Sequence, residues 1–242
     1  MINSFKSISL KEMDAVSLLK RTDTKFVIHA SSLPAVLKES KREYQVLEID
    51  GKRIMNYSSL YFDTPKFKFY FDHHNQRANR IKIRQRKYVD SNLTFLEIKK
   101  KNGKGETNKT RIKIDDFEKE LSTSSKEFIE QITEQKLTLQ PRLWNNFHRI
   151  TLVNLTDNER VTIDLGLSYT INKKESNYKK IVIVEVKQSE FNRTSSIIQT
   201  LKKYNYNPYS ISKYCVGIVN LYDNEKYNLF KKKLLKLKKM TT

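Results

Sequence analysis

From residue 80 to residue 88 the chain alternates between charge and oil. Arg80, Lys82, Arg84 and Arg86 share one parity, and Ile81 and Ile83 share the other. Period two is the signature of a strand with unlike faces. The pattern returns four times. Glu97, Lys99 and Lys101 alternate with Leu96 and Ile98, and Arg111 and Lys113 with Ile112 and Ile114. Arg160, Thr162 and Asp164 alternate with Val161, Ile163 and Leu165, and Glu185 and Lys187 with Val182, Val184 and Val186. The patterning predicts strands over 23–29, 44–49, 54–62, 80–88, 93–101, 109–114, 160–165, 168–171 and 180–187, with one more from about 147 inside the ambiguous stretch 144–154. A capping box, Ser9 with Glu12, opens a helix read to about residue 20, with Met13, Val16 and Leu19 at helical spacing. Helices are also expected over 32–41, 115–121, 125–136, 194–204 and 212–221, and a short helix or loop over 66–77. Tyr214, Ile218 and Leu221 fall on one side of the 212–221 helix.

Four cations about 7 Å apart on one strand face repel one another, so an anion or bulk water must face them. Many such strands can close into a barrel turned inside out, with a charged lumen, an apolar exterior and helices outside. An open sheet with one solvated charged face is the plainer alternative. Two details favour the barrel. Glu97-Ile98-Lys99 recurs as Glu185-Val186-Lys187, so carboxylate and ammonium project together from two distant strands. The guanidiniums also outnumber what neighbouring acids can pair, and their forks suit phosphate oxygens.

The chain has 242 residues, with 47 Lys+Arg against 27 Asp+Glu, a formal charge of +20. That imbalance points to a polyanion such as nucleic acid, polyphosphate, a nucleotide or an anionic membrane. One domain is expected over 1–222, followed by a Lys-rich tail over 223–242. In that tail Tyr227, Phe230, Leu234 and Leu237 make a helical stripe among seven lysines from Lys226 to Lys239. The plain reading is a solvated terminal helix packed by its stripe; the sharper one is a surface helix that meets anionic lipid or a polyanion. Five glycines, none in a Walker or dinucleotide pattern, leave phosphate binding to side chains. The single cysteine, Cys215, excludes an internal disulfide and fits a reducing, cytoplasmic setting. Residues 1–20 hold no long apolar run, and no stretch of 18 apolar residues occurs anywhere, so neither a secretory leader nor a membrane helix is expected. His29, His73, His74 and His148 lack metal-ligand spacing.

Eight short motifs then occur in a telling order: Arg21-Thr-Asp-Thr-Lys25-Phe26, Tyr61-Phe-Asp-Thr, Arg84-Gln-Arg86-Lys-Tyr88, Glu97-Ile-Lys99, Phe147-His-Arg149, Arg160-Val-Thr-Ile-Asp164, Glu185-Val-Lys187 and Ser212-Lys213-Tyr214. Over about residues 21–221 the chain resembles the polyphosphate polymerase domain of the vacuolar transporter chaperone (VTC) complex. That family belongs to the triphosphate tunnel metalloenzymes, related to CYTH-type triphosphatases. The resemblance implies an α+β fold with an antiparallel eight-stranded tunnel. It implies that Lys25, Arg84, Arg86, Lys99, Arg149, Arg160 and Lys213 grip phosphates, that Ser212 hydrogen-bonds phosphate, and that Glu185 holds Mn²⁺ or Mg²⁺. Arg77 or Arg80 would fill one further basic position; Lys82, Lys187 and Glu97 rank second. ATP and inorganic polyphosphate are the implied partners. The family's tunnel triphosphatases carry Glu-x-Glu-x-Lys, where this chain has Arg21-x-Asp23-x-Lys25, so hydrolase-type metal binding is the less expected outcome.

Three activities remain in view: phosphoryl transfer from ATP to polyphosphate, hydrolysis of triphosphate or short polyphosphate, and non-enzymatic polyanion binding. The aromatic-plus-glycine signatures of common RNA modules are missing, so no specific nucleic-acid partner is expected.

Overall fold

The computed structural model describes residues 1–14, 21–223 and 226–241. In chain order the elements are β1 (Ser7–Ile8), α1 (Leu10–Met13), β2 (Thr22–His29), α2 (Leu33–Ser40), β3 (Gln45–Leu47), β4 (Met55–Asp63), α3 (Lys68–His74), β5 (Arg80–Tyr88), β6 (Leu93–Lys101), β7 (Thr107–Ile114), α4 (Thr123–Thr133), β8 (Gln140–Asn154), β9 (Glu159–Ile171), β10 (Lys174–Tyr178), β11 (Ile181–Gln188), α5 (Ser196–Lys203), α6 (Lys213–Leu221) and α7 (Lys231–Lys239).

Eight strands run in the order β2-β11-β9-β8-β4-β5-β6-β7, each pair antiparallel. Short β1, β3 and β10 pair off this path, so the described sheet has 11 strands. The sheet curls but does not close: β2 and β7 are not paired, which corrects the expectation of a closed eight-stranded barrel. The chain itself supplies the reason. Phe26 of β2 bridges to Pro208, and Tyr209 N donates to the Lys25 carbonyl at 2.6 Å. The edge that β7 would need is already occupied.

Alternation sorts the side chains. Val182, Val184 and Val186 of β11 join Phe26, Ile28, Val161 and Ile163 on the convex side, under Val36 and Leu37 of α2 and Ile197, Ile198 and Leu201 of α5. Leu60, Phe62, Ile83, Leu96 and Ile98 form a second convex core with Ile129 of α4. Burying each of these aliphatic side chains contributes about 1.5–3 kcal/mol. The concave side is divided. One end is filled by α6, whose Tyr214, Ile218 and Leu221 pack on Val27, Tyr61, Leu143, Phe147, Leu167, Tyr169, Ile181 and Ile183. The rest of the concave face is charged.

Several elements depart from the sequence reading. The two strands expected at 160–165 and 168–171 are one strand, β9, which kinks at Gly166 (φ +65°). A Cβ there would approach His148 Cδ2 to 2.9 Å, so glycine fits the bulge. Residues 115–121 are not helical; Gln85 Oε1 and Asp116 Oδ1 accept the backbone N–H groups of Glu118 and Phe117 instead. The opening helix covers only α1, and residues 15–20 of that expectation, Val16 and Leu19 included, lie outside the described residues. α7 docks through Phe230, Leu234 and Leu237, whereas Tyr227, expected in the same stripe, is exposed. No helix among the described residues is long and apolar enough to cross a membrane.

Candidate functional site

Three carboxylates of the concave face, Glu185, Glu97 and Asp164, are each held by two cations. Glu185 of β11 lies opposite Lys25 of β2 in the ladder. Its Oε1 is 2.8 Å from Lys25 Nζ and its Oε2 is 2.6 Å from Lys187 Nζ. Burial disfavours the Glu185 charge, but Lys187 and Lys25 outweigh it and hold the carboxyl well below its usual range. Lys187 also donates to Thr162 Oγ1 at 3.4 Å.

Glu97 of β6 anchors the second cluster. Arg84, its cross-strand neighbour, donates through Nε at 2.8 Å and Nη2 at 2.7 Å, both to Oε2. Lys109 of β7 pairs with Oε1. Arg84 Nη1 also donates to the Tyr61 hydroxyl at 3.1 Å. Glu97 is pushed up by burial but ends far below its usual range because Arg84, Arg86 and Lys109 surround it. Asp164 of β9 makes the third cluster. Arg149 of β8 forks onto it at 2.6 and 2.8 Å, and Lys213, in the first turn of α6, pairs with Oδ2. Burial lowers Lys213 to about 7, with Asp164 opposing the shift and Arg149 and Arg86 adding to it.

Three other cations on this face have no carboxylate partner among the described residues. Arg86 donates only to Ser59 Oγ at 3.3 Å, and its guanidinium lies 5.5 Å from the Tyr57 ring centre. Lys82 donates to Ser212 Oγ at 3.1 Å. That hydroxyl also accepts the Cys215 N–H as the α6 N-cap. Lys99 has no hydrogen bond or ion pair among the described residues. Burial, with Arg84, Arg86 and Lys109 nearby, pushes its ammonium well below the usual range. Lys99 of β6 nevertheless feels Glu185 of β11, and Lys82 of β5 feels Lys25 of β2. Strands far apart in the sheet order therefore face one another across a trough. Ten cations (Lys25, Lys82, Arg84, Arg86, Lys99, Lys109, Arg149, Arg160, Lys187 and Lys213) share it with Glu97, Asp164 and Glu185.

Twelve of the thirteen site residues named from the sequence lie on or beside this face. Arg160 occupies one end with Arg21, Asp23 and Arg149 around it, and half-buried Arg80 the other, opposite Lys101. Arg77 does not join them. It is exposed before β5, its backbone N–H bonded to the Asp72 carbonyl. The sequence reading missed Lys109, and it used Asp164 only as a motif letter. Lys109 carries no motif; only the β6–β7 register, which sets Lys99 opposite Lys109, brings it to Glu97.

No group of three or more His, Cys, Asp or Glu among the described residues could hold a metal by itself. Glu185, whose two oxygens face Lys25 and Lys187, could offer one hard oxygen ligand in a cationic wall. It fits Mg²⁺ or Mn²⁺ only as an ion whose other ligands are phosphate oxygens and water.

Comparison with known proteins bears on the fold and the family. HpAC1 from Hippeastrum, an adenylyl cyclase candidate described as having a dominant triphosphatase activity, superposes with a TM-score of 0.50 at 14% identity, covering 87% of this chain and 99% of that one. An adenylate cyclase candidate from Vibrio parahaemolyticus gives 0.48 at 10% identity over 81% and 97%, and PH1012 from Pyrococcus horikoshii OT3 gives 0.41 at 12% over 77% and 90%. HpAC1 bears on the fold alone; the looser two carry no argument. No curated protein matches. The VTC domain matches over residues 20–222, the span that builds the trough and its outer helices, and the chain belongs to the VTC domain family.

Proposed function

We propose that the chain is an ATP-dependent polyphosphate polymerase, passing the γ-phosphoryl of ATP to the end of a growing inorganic polyphosphate chain. The observation that carries this reading is Lys99, a half-buried lysine with no hydrogen bond or ion pair among the described residues and three cations around it. An apolar site would penalise such a residue, and a chain of phosphates would pair with it.

The trough residues would work by position and charge. Arg84, Arg86, Lys99 and Lys109 line one wall, and Lys25, Lys187 and Arg160 the facing one, so triphosphate and acceptor chain would be gripped from both sides. The acceptor's terminal phosphate is ionised near neutral pH, so no general base is needed. Its oxygen forms the new P–O bond in line, the bond from the γ-phosphorus to the β–γ bridging oxygen breaks, and ADP leaves with the electron pair. Lys25, tethered by Glu185, would sit beside the transferring group. Glu185 would hold Mn²⁺ or Mg²⁺ carried in with the nucleotide, and the ion would supply neutralisation of the phosphate oxygens. The apolar end filled by α6 would exclude water from one side of the site.

Hydrolysis of a triphosphate is the second reading, favoured by the triphosphatase activity described for HpAC1. Water, not phosphate, would then attack. Against it, Asp23 is 3.0 Å from Arg21 Nε, so the acidic slot beside Lys25 is already neutralised. Purified protein incubated with ATP and Mn²⁺, followed by a gel stained for long polyphosphate, separates the two. A ladder of long chains is expected; phosphate release with no ladder would overturn the polymerase.

A further inference from the structure

We propose that one flank of α7 extends the trough as an outer binding surface for linear polyphosphate too long to fit inside it. This rests on the trough being a polyphosphate site. The tail is docked: Phe230 packs on His74 with ring centres 5.2 Å apart, the Tyr70 hydroxyl donates to the Lys226 carbonyl at 2.7 Å, and Leu237 is buried. Docking fixes which lysines look toward the trough. At about 100° per residue, Lys233 and Lys236 fall on one flank of the Leu234–Leu237 stripe, and Lys231 and Lys238 on the opposite flank.

The first flank is joined to the trough wall. Lys236 Nζ lies 4.5 Å from the Tyr209 ring centre, and the Tyr209 hydroxyl donates to the Lys233 carbonyl at 3.2 Å. Tyr209 is the residue whose N–H donates to the Lys25 carbonyl. Lys233 also lines a small cavity with His73 and Ser212, the hydroxyl that Lys82 reaches. His73 faces Lys82, Arg80, Lys233 and Lys101, cations from three elements that meet at this end of the trough. The positive lining therefore continues from Lys82 through Arg80 and Lys101 onto α7. A lipid surface fits less well, because a membrane-bound amphipathic helix needs its apolar stripe outward, and here Leu234 and Leu237 are turned into the protein.

The test compares two double variants of equal charge in the full chain, K233Q/K236Q and K231Q/K238Q, by titration with tripolyphosphate and with long polyphosphate. K233Q/K236Q is expected to bind long polyphosphate about tenfold more weakly, with the salt slope reduced by about one. Its tripolyphosphate affinity should stay within about twofold of wild type. K231Q/K238Q should match wild type with both ligands. Equal long-chain losses in the two variants would overturn the proposal by showing bulk charge alone. So would a parallel loss of tripolyphosphate affinity, which would show a disturbed fold. Unchanged long-chain affinity, with loss of binding to phosphatidylserine vesicles, would overturn it in favour of a lipid surface. Failure of the trough reading shows separately, as wild type that binds no tripolyphosphate and a Lys99→Met protein that matches it.

Discussion

The two ends of the concave face use the same strands for opposite purposes. β8 and β9 run through both. Toward one end they present Phe147, Leu143, Leu167 and Tyr169, and α6 packs on them. Toward the other they present Arg149, Arg160 and Asp164, and Asp164 pairs with Lys213 at the start of α6. The apolar end is stabilised by what it excludes. The charged end is held apart by repulsion among cations that outnumber its carboxylates. On the proposed reading, a face that could have been filled throughout is left destabilised where an anion would bind, and the stability comes from the other end and from the convex cores.

The sharpest way to break that contrast is Lys99→Met, which keeps the stem and removes the ammonium. Synthesis of polyphosphate should fall by about 10²-fold or more, as when a preorganised group facing transition-state charge is lost. The melting temperature should hold or rise, because an amine that burial and three neighbouring cations disfavour in its charged form has gone. Full activity would show that the trough is not the site.

The second prediction is a pH dependence. Lys213 is lowered to about 7 and Lys109 to about 8, both first by burial. Below about pH 7 each is protonated folded and unfolded, and the cost of the buried charge is constant. Between that point and the unfolded lysine value near 10.4 the unfolded chain binds more protons, so stability rises with pH. Each group contributes at most about 1.4 kcal/mol per pH unit, less for partly exposed Lys109. Polyphosphate affinity should run the other way, falling as these lysines neutralise. Thermal melts from pH 7 to 10, with and without polyphosphate, would show the free and bound curves converging. A free-protein curve that falls over this range would refute the account.

Much of this was legible in the sequence because alternation is local. The faces of β5, β6, β9 and β11 follow from residue parity alone, and parity put Lys99, Arg84 and Glu185 on the charged side. Closure was not legible, since it turned on Pro208 and Tyr209 taking the β2 edge, a contact far along the chain. Nor was Lys109, whose role depends on a register that the turn at 102–105 sets. β10 was missed because Lys174–Tyr178 has no apolar alternation to read; it forms as the return of a hairpin whose turn includes Asn172 at φ +52°. α6 was legible as an amphipathic helix but not as a plug in the concave face, because its partners lie on five strands.

Gly217→Ala probes the apolar end alone. An added Cβ would approach Leu143 Cδ1 to 2.6 Å and Tyr169 Cδ1 to 2.7 Å, on the strands opposite α6. Overpacking of this kind costs about 1–3 kcal/mol. Denaturant melts should show that loss, while the folded fraction keeps tripolyphosphate affinity within about threefold. A collapse of affinity with unchanged stability would mean that the two ends are not separable.

Tyr61→Phe probes the seam where the ends meet. The ring of Tyr61 stacks on Tyr214 of α6 with centres 5.2 Å apart, while its hydroxyl accepts from Arg84. Phenylalanine keeps the stack and deletes the acceptor. Arg84 remains tethered to Glu97 by two bonds, so its guanidinium should stay in place. The expected effect is therefore small: about 1 kcal/mol or less in stability, and a rate reduced less than about tenfold. If the rate instead fell as far as in Lys99→Met, the hydroxyl would be fixing the fork's direction toward phosphate, and the seam would belong to the charged end.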